Sequence, residues 1–143
     1  MRLTSFTDYG LRALMRMASA PEHGFSTAEL AEEFGISRHH LIKIVQRLVR
    51  GGFVATRRGG GGGAMLARPP HEIRLGDVVR LLEEGQALVE CFAPGGGDCP
   101  IDGRCGLKGR LRAAERAFLA ELDRSTLADI ALPRRLPDLE TAC

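Results

Sequence analysis

Fifteen residues, Cys91-Phe-Ala-Pro-Gly-Gly-Gly-Asp-Cys99-Pro-Ile-Asp-Gly-Arg-Cys105, hold three cysteines in a stretch too rich in Gly, Pro and Asp for helix or strand. Seven residues separate the first pair and five the second. A flexible loop bearing three thiolates can wrap zinc, copper(I) or an iron–sulfur centre, because soft sulfur ligands suit those metals. Three thiolates leave one coordination position for another residue or an outside molecule, and a weakly held fourth position is how a site becomes a sensor. The spacing does not match the paired CxxC of zinc ribbons or fingers. Free thiols, a disulfide with one cysteine left over, and a structural zinc site are the plainer readings. A fourth cysteine, Cys143, ends the chain and is left out of the site.

Elements that could position and read such a loop surround it. Residues 5–19 are expected to be helical, with Leu11, Leu14, Met15 and Ala18 at i, i+3, i+4, i+7. Ser5-Phe-Thr-Asp8 reads as a capping box with Asp8 in the first turn. A second box, Ser26-Thr-Ala-Glu29, opens a short helix that Gly35 ends. Ser37 caps a third helix running to about Arg50, with Leu41, Ile44, Val45 and Leu48 as its buried stripe. Helix, short turn and helix is helix-turn-helix spacing.

The charge is small overall, +2 at pH 7, so a polyanion partner must be argued from where charge lies. From Phe34 to His71 there is no acidic residue, while Arg38, Lys43, Arg47, Arg50, Arg57, Arg58 and Arg68 fall in that span. Such a one-sided stretch is an electrostatic footprint for nucleic acid; the plain alternative is a basic surface without a partner. In a helix-turn-helix the N-terminal residues of the second helix meet base edges. Here these are Ser37, Arg38, His39 and His40, with Lys43 and Arg47 following as phosphate contacts.

Phe53-Val-Ala-Thr56, a run of five glycines at 59–63, and Ala64-Met-Leu-Ala67 read as strand, turn and strand. After a helix-turn-helix that hairpin is a wing, and Arg57, Arg58 and Arg68 can reach phosphates or the minor groove. No Lys-Ser/Thr follows the glycines, which argues against a nucleotide-binding loop. Residues 73–84 are expected to be helical and, with Asp77, Glu83 and Glu84, to face away from DNA. Residues 106–123 form a longer helix with Leu107, Leu111, Ala114, Phe118 and Leu122 on one face. That face needs a partner, and a two-fold dimer reading a palindromic site supplies one. The alternative is that the helix folds back on its own domain.

The expected fold is mostly α with a small β-hairpin: a winged helix-turn-helix over 1–84, a cysteine loop over 85–105, a dimerisation helix with a short C-terminal helix over 106–131, and a disordered tail over 132–143. Hydrophobic residues make up 44%, with six Phe, one Tyr and no Trp, so the core is aliphatic. No apolar run approaches the roughly 20 residues of a membrane span, and the N-terminus does not look like a secretory signal. A cytoplasmic location is expected, where clustered thiols stay reduced. No nucleophile–base pair or paired carboxylates stand out, and His23, His39, His40 and His71 fall in turns or the basic face, so no enzyme is expected.

Four stretches carry a resemblance: Leu3-Thr-Ser-Phe-Thr-Asp-Tyr-Gly-Leu-Arg12, Ser37-Arg-His-His-Leu-Ile-Lys-Ile-Val45, Arg58-Gly-x-x-Gly-Gly-x-x-Leu-Ala-Arg-Pro-Pro70, and Leu88-Val-Glu-Cys-Phe92 with Cys99, Cys105 and Leu107-Lys-Gly109. Thr126-Leu-Ala-Asp-Ile130 extends it. The chain resembles the iron–sulfur winged-helix regulators that include IscR, and most closely the nitric-oxide-sensing NsrR repressors. The resemblance implies an iron–sulfur cluster, [4Fe–4S] ahead of [2Fe–2S], held by Cys91, Cys99 and Cys105, with Asp8 of the opposite protomer as fourth ligand. IscR-like members place a His shortly after the last cysteine, where Leu107 and Lys108 stand here, which favours the NsrR type. The implied function is a homodimeric repressor whose cluster-bound form holds a palindromic DNA operator and releases it on nitrosylation. The rival readings are a regulator of the same fold sensing iron–sulfur status, oxygen or peroxide, and a zinc-stabilised DNA-binding protein that senses nothing.

Overall fold

The computed structural model describes residues 1–134. Helix α1 (Ser5–Ser19) leads to α2 (Thr27–Phe34) and α3 (Arg38–Arg50), then an antiparallel hairpin of β1 (Val54–Arg57) and β2 (Gly63–Leu66), then α4 (Leu75–Leu82) and α5 (Gly106–Leu122). Short 3-10 turns lie at Pro70–Glu72, Glu90–Phe92 and Leu127–Ile130.

Local signals account for most of these boundaries. Ser26 and Glu29 close the expected capping box, each side chain accepting the other's backbone N–H at 3.0 Å. Gly35 then ends α2 at φ +64°, a left-handed conformation that favours glycine. The Ser37 hydroxyl accepts the His40 N–H at 3.4 Å and starts α3. At α1 the expected box shifts. Thr4, not Ser5, is the N-cap, accepting the Thr7 N–H at 3.3 Å. The reason is tertiary: the Thr4 N–H and hydroxyl both donate to Glu83 Oε1 at 2.8 Å, which fixes Thr4 at the helix start. Asp8 stays in the first turn but caps nothing; its carboxylate turns to Arg12.

The hairpin pairs Val54 with Leu66 and Arg57 with Gly63, so β1 begins one residue later than expected and β2 one earlier. Phe53 is instead a buried plug whose N–H bonds Leu48 O at the end of α3. Phe25 adds an isolated bridge to the wing through both backbone bonds with Ala64, at 2.9 and 2.7 Å. The approach is close enough that a Cβ on Gly24 would lie 2.6 Å from Gly62 O.

The core gathers Leu14 and Met17 of α1, Leu30 of α2, and Leu41, Ile44 and Leu48 of α3, all fully buried. Leu127, from the far end of the chain, is buried with them. Its N–H bonds Ile73 O at 2.8 Å, and Ser125 O accepts the Leu75 N–H at 3.1 Å. Those bonds hold residue 73 extended, so α4 starts at Leu75 rather than Ile73. The segment after α5 forms the short 3-10 helix Leu127–Ile130 and packs into the winged domain through it. Leu132 N–H continues this path to Met15 O at 3.1 Å. The remainder of the tail expected to be disordered, residues 135–143 with Cys143, lies outside the described residues.

Helix α5 is about 25 Å long at 1.5 Å per residue, and none of its residues is buried. Leu111, Phe118 and Leu122 are half-buried toward the rest of the chain, whereas Leu107 is 62% exposed and Ala114 is exposed. Only its C-terminal end is firmly docked, on α4, where Arg80 and Asp123 pair at 2.6 Å.

Candidate nucleic-acid interface and cysteine loop

Along α3 the side chains facing the core are Leu41, Ile44, Val45 and Leu48, and the opposite face is open. Ser37, Arg38, His39, Lys43, Gln46 and Arg50 are exposed there. Two residues expected on that face are occupied elsewhere. His40 packs between Phe6 and Tyr9 of α1, with ring centroids 5.8 and 5.6 Å away. Arg47 donates to Glu84 Oε2 at 3.1 Å and to Leu81 O at 3.5 Å. Glu84 therefore sits beside α3 rather than turned from it, and Glu83 is turned inward to Thr4 and Thr7. Gln46, which the sequence reading passed over, shares the open face. Counting helical turns from His39 through Lys43 would have found it.

The wing presents Arg57 and Arg58, both exposed, at a turn where Gly59 and Gly61 have φ of +96° and +75°. Arg68 is exposed as well, its guanidinium 4.9 Å above the Phe53 ring. With no acid between residues 34 and 71 in the sequence, the exposed charged side chains of α3 and of the wing are all cationic.

The three loop cysteines are free thiols of intermediate burial. Cys91 lies in the 3-10 turn Glu90–Phe92, Cys99 in the irregular segment, and Cys105 at the N-cap of α5. Among the described residues no three His, Cys, Asp or Glu side chains stand close enough to hold a metal ion. The loop is nonetheless tied to α5. Lys108 Nζ bonds Asp102 Oδ1 at 2.6 Å, and the Arg112 guanidinium lies 4.3 Å over the Phe92 ring. The Asp102 bond, foremost, and the nearby Cys91 hold Lys108 above the usual lysine pKa, while desolvation and Arg112 act the other way. Cys105, Lys108 and Arg112 line an open hollow of about 400 Å³. Positive φ at Gly95, Gly96, Gly97 and Gly103 shows a backbone coiled in ways other residues resist.

Asp8, the fourth expected ligand, is half-exposed on α1. Both its carboxylate oxygens accept from Arg12, at 3.1 and 2.7 Å. Three soft sulfur donors on one loop, two cations against it, and a half-exposed carboxylate on another element fit a thiolate-ligated cluster. They do not fit a hard, oxygen-ligated cation.

Residues 3–132 match the Rrf2 family, described as iron-dependent transcriptional regulators. Among solved structures, IscR of T. potens superposes with a TM-score of 0.70 at 27% identity, over 90% of this chain and 85% of that one. CymR of B. subtilis, described as its global cysteine regulator, gives 0.69 at 26% identity over 92% and 96%. The oxidized form of Staphylococcus aureus CymR gives 0.70 at 26% over 95% and 100%. Members of the family are transcription regulators rather than enzymes. By this match and by its winged-helix fold, the chain belongs to the Rrf2 family of DNA-binding transcriptional regulators.

Proposed function

We propose that this regulator is a homodimeric repressor that carries an iron–sulfur cluster and senses nitric oxide, in the manner of the NsrR type. One observation carries the reading: three free, partly buried thiols on a glycine-jointed loop that ends at the start of α5 beside Lys108 and Arg112. Cys91, Cys99 and Cys105 would hold the cluster, [4Fe–4S] ahead of [2Fe–2S], and Asp8 of the second protomer would complete it. When bound, such a cluster supplies thiolate-ligated iron with which nitric oxide reacts.

The chain's own residues do the rest. The left-handed glycines let the loop close and bring the three sulfurs together. Lys108 and Arg112 offset the charge of the thiolates. Asp8 contributes a hard oxygen donor, the weakest bond in a set of sulfurs. To reach a partner it must leave Arg12, and Arg12 remains one turn away to take it back. The exposed length of α5 pairs about a two-fold axis and sets the distance between the two α3 helices, which a palindromic operator requires to be about one DNA turn. Ser37, Arg38 and His39 meet base edges in the major groove, Lys43 meets phosphate, and Arg57, Arg58 and Arg68 of the wing meet phosphates or the minor groove. His40 and Arg47 act from behind, by holding α3 to α1 and α4.

The test is the visible spectrum of anaerobically purified protein, with iron and sulfide counted, before and after stoichiometric nitric oxide. A brown protein whose charge-transfer band collapses together with operator binding supports the reading. A cluster indifferent to nitric oxide shifts it to a regulator of iron–sulfur status, oxygen or peroxide. A colourless protein with one zinc per chain leaves DNA binding alone.

A further inference from the structure

We infer that Gln46 is a base-reading, specificity-determining residue of this regulator, and that the base it selects is adenine. The inference rests on α3 entering the major groove. On a helix with 3.6 residues per turn, Gln46 follows His39 by seven residues and Lys43 by three, and it precedes Arg50 by four. These four side chains therefore lie along one narrow strip. It is the strip opposite the buried stripe of Leu41, Ile44 and Leu48, and all four residues on it are exposed.

The chemistry along the strip differs from end to end. Lys43 and Arg50 are cations suited to phosphates. His39 is near the helix start. Gln46 is the only uncharged amide of α3. Its side chain makes no hydrogen bond within the chain among the described residues, so both its donor and its acceptor are open to a partner. An amide of that kind pairs bidentately with adenine N6 and N7, a pattern no other base shows in the major groove. On one side of the strip the flanking polar residues are not free to read bases, and on the other stand the apolar Ile42 and Val49. His40 is packed against Phe6 and Tyr9, and Arg47 is bonded to Glu84 and to Leu81 O. Of the polar side chains in the third turn of α3, Gln46 alone is therefore left to read a base.

The experiment selects binding sites from a randomised duplex DNA library with the full-length, cluster-loaded dimer. Wild type is compared with Gln46→Ala and Lys43→Ala at one fixed salt concentration. Gln46→Ala leaves an exposed helical position with a better helix former, so folding is not at stake. The expected result is a flattened preference at one adenine position in each half-site. Affinity for the selected site falls by about 5- to 150-fold, the span of one bidentate base contact. Affinity for sheared bulk DNA and the salt slope stay as in wild type. Lys43→Ala should instead weaken all sequences alike and reduce the salt slope by about one. If Lys43→Ala behaves so while Gln46→Ala keeps the wild-type site preferences, Gln46 is not a reader and the proposal fails alone. If neither variant changes binding, α3 is not in the groove, and both readings fail together.

Discussion

The Asp123 carboxylate meets the Arg80 guanidinium at 2.8 and 2.6 Å directly over Gly76. A Cβ on Gly76 would lie 1.9 Å from Asp123 Oδ1 and 2.9 Å from Leu119 O. The glycine is thus what lets α5 seat its last turn on α4. The hydrogen bond from Arg80 holds Asp123 below the usual aspartate pKa, so the pair's contribution is present above that range and fades as pH falls through the lowered value. Gly76→Ala should destabilise the fold by about 1–3 kcal/mol, as overpacking does. It should also weaken dimerisation, because α5 leaves the domain at a different angle. Chemical denaturation and sedimentation would show both effects. Unchanged values in both would mean that α5 is not anchored there.

Glu83 ties the start of α1 to the end of α4. Its Oε1 accepts from the Thr4 N–H, the Thr4 hydroxyl and the Thr7 hydroxyl, and Thr7 is fully buried. Desolvation alone would push the Glu83 pKa up, but the bonds from Thr7 and Thr4 overcome it and hold the group below its ordinary value. A carboxyl whose folded pKa lies below its unfolded one, about 4.3, stabilises most above that range. The gain is lost as pH falls through the lowered value. Glu83→Ala should cost about 1–3 kcal/mol at neutral pH by removing the acceptor that the Thr4 N–H and the Thr4 and Thr7 hydroxyls share. Its deficit relative to wild type should shrink in acid. Urea denaturation over a pH series reads this directly, and a deficit that does not vary with pH would remove the carboxylate from the account.

His39 and His40 are neighbours with separate tasks. His39 is exposed on the open face of α3, while His40 is packed on Phe6 and Tyr9 of α1. His40→Ala should lower stability by about 0.5–1.5 kcal/mol, the worth of such ring contacts, with operator preference intact. His39→Ala should leave the melting temperature in place and weaken operator binding. Thermal unfolding beside a DNA titration separates them. The reverse pattern would mean that α3 is rotated relative to the groove from the orientation assigned to it.

The pair of histidines shows where sequence reading reaches and where it stops. Capping chemistry and hydrophobic period are local, so the limits of α2 and α3, and Gly35 between them, can be read from residue types alone. Which flank of α3 is free is not local. It depends on Phe6 and Tyr9, some thirty residues upstream, and on Glu84, some forty downstream. The same holds at Thr4, where Glu83 moves the helix start by one residue, and at Leu127, which returns to the core from beyond α5. In the cysteine loop, residue types raise the expectation of soft-metal chemistry and go no further. The attachment of the loop to α5 through Asp102 and Lys108 follows from a fold that no spacing of cysteines encodes.

Asp8 is bonded to Arg12 of its own chain, yet the proposed ligand set takes it from the second protomer. Mixed dimers decide which. One protomer carries Asp8→Ala with all its cysteines, and the other carries Cys91→Ser with Asp8 intact, each with a different affinity tag. If Asp8 acts across the dimer, the loaded protomer receives a native Asp8, and the mixed dimer should show the wild-type circular dichroism of the cluster at half the wild-type iron content. The Asp8→Ala homodimer should hold full iron with an altered spectrum, because an exogenous ligand replaces the carboxylate. If Asp8 acted within its own chain, the mixed dimer would show that altered spectrum instead. Wild-type spectra in every combination would leave Asp8 as a partner of Arg12 alone. The comparison needs no operator sequence, and it reads ligation itself rather than any consequence for DNA.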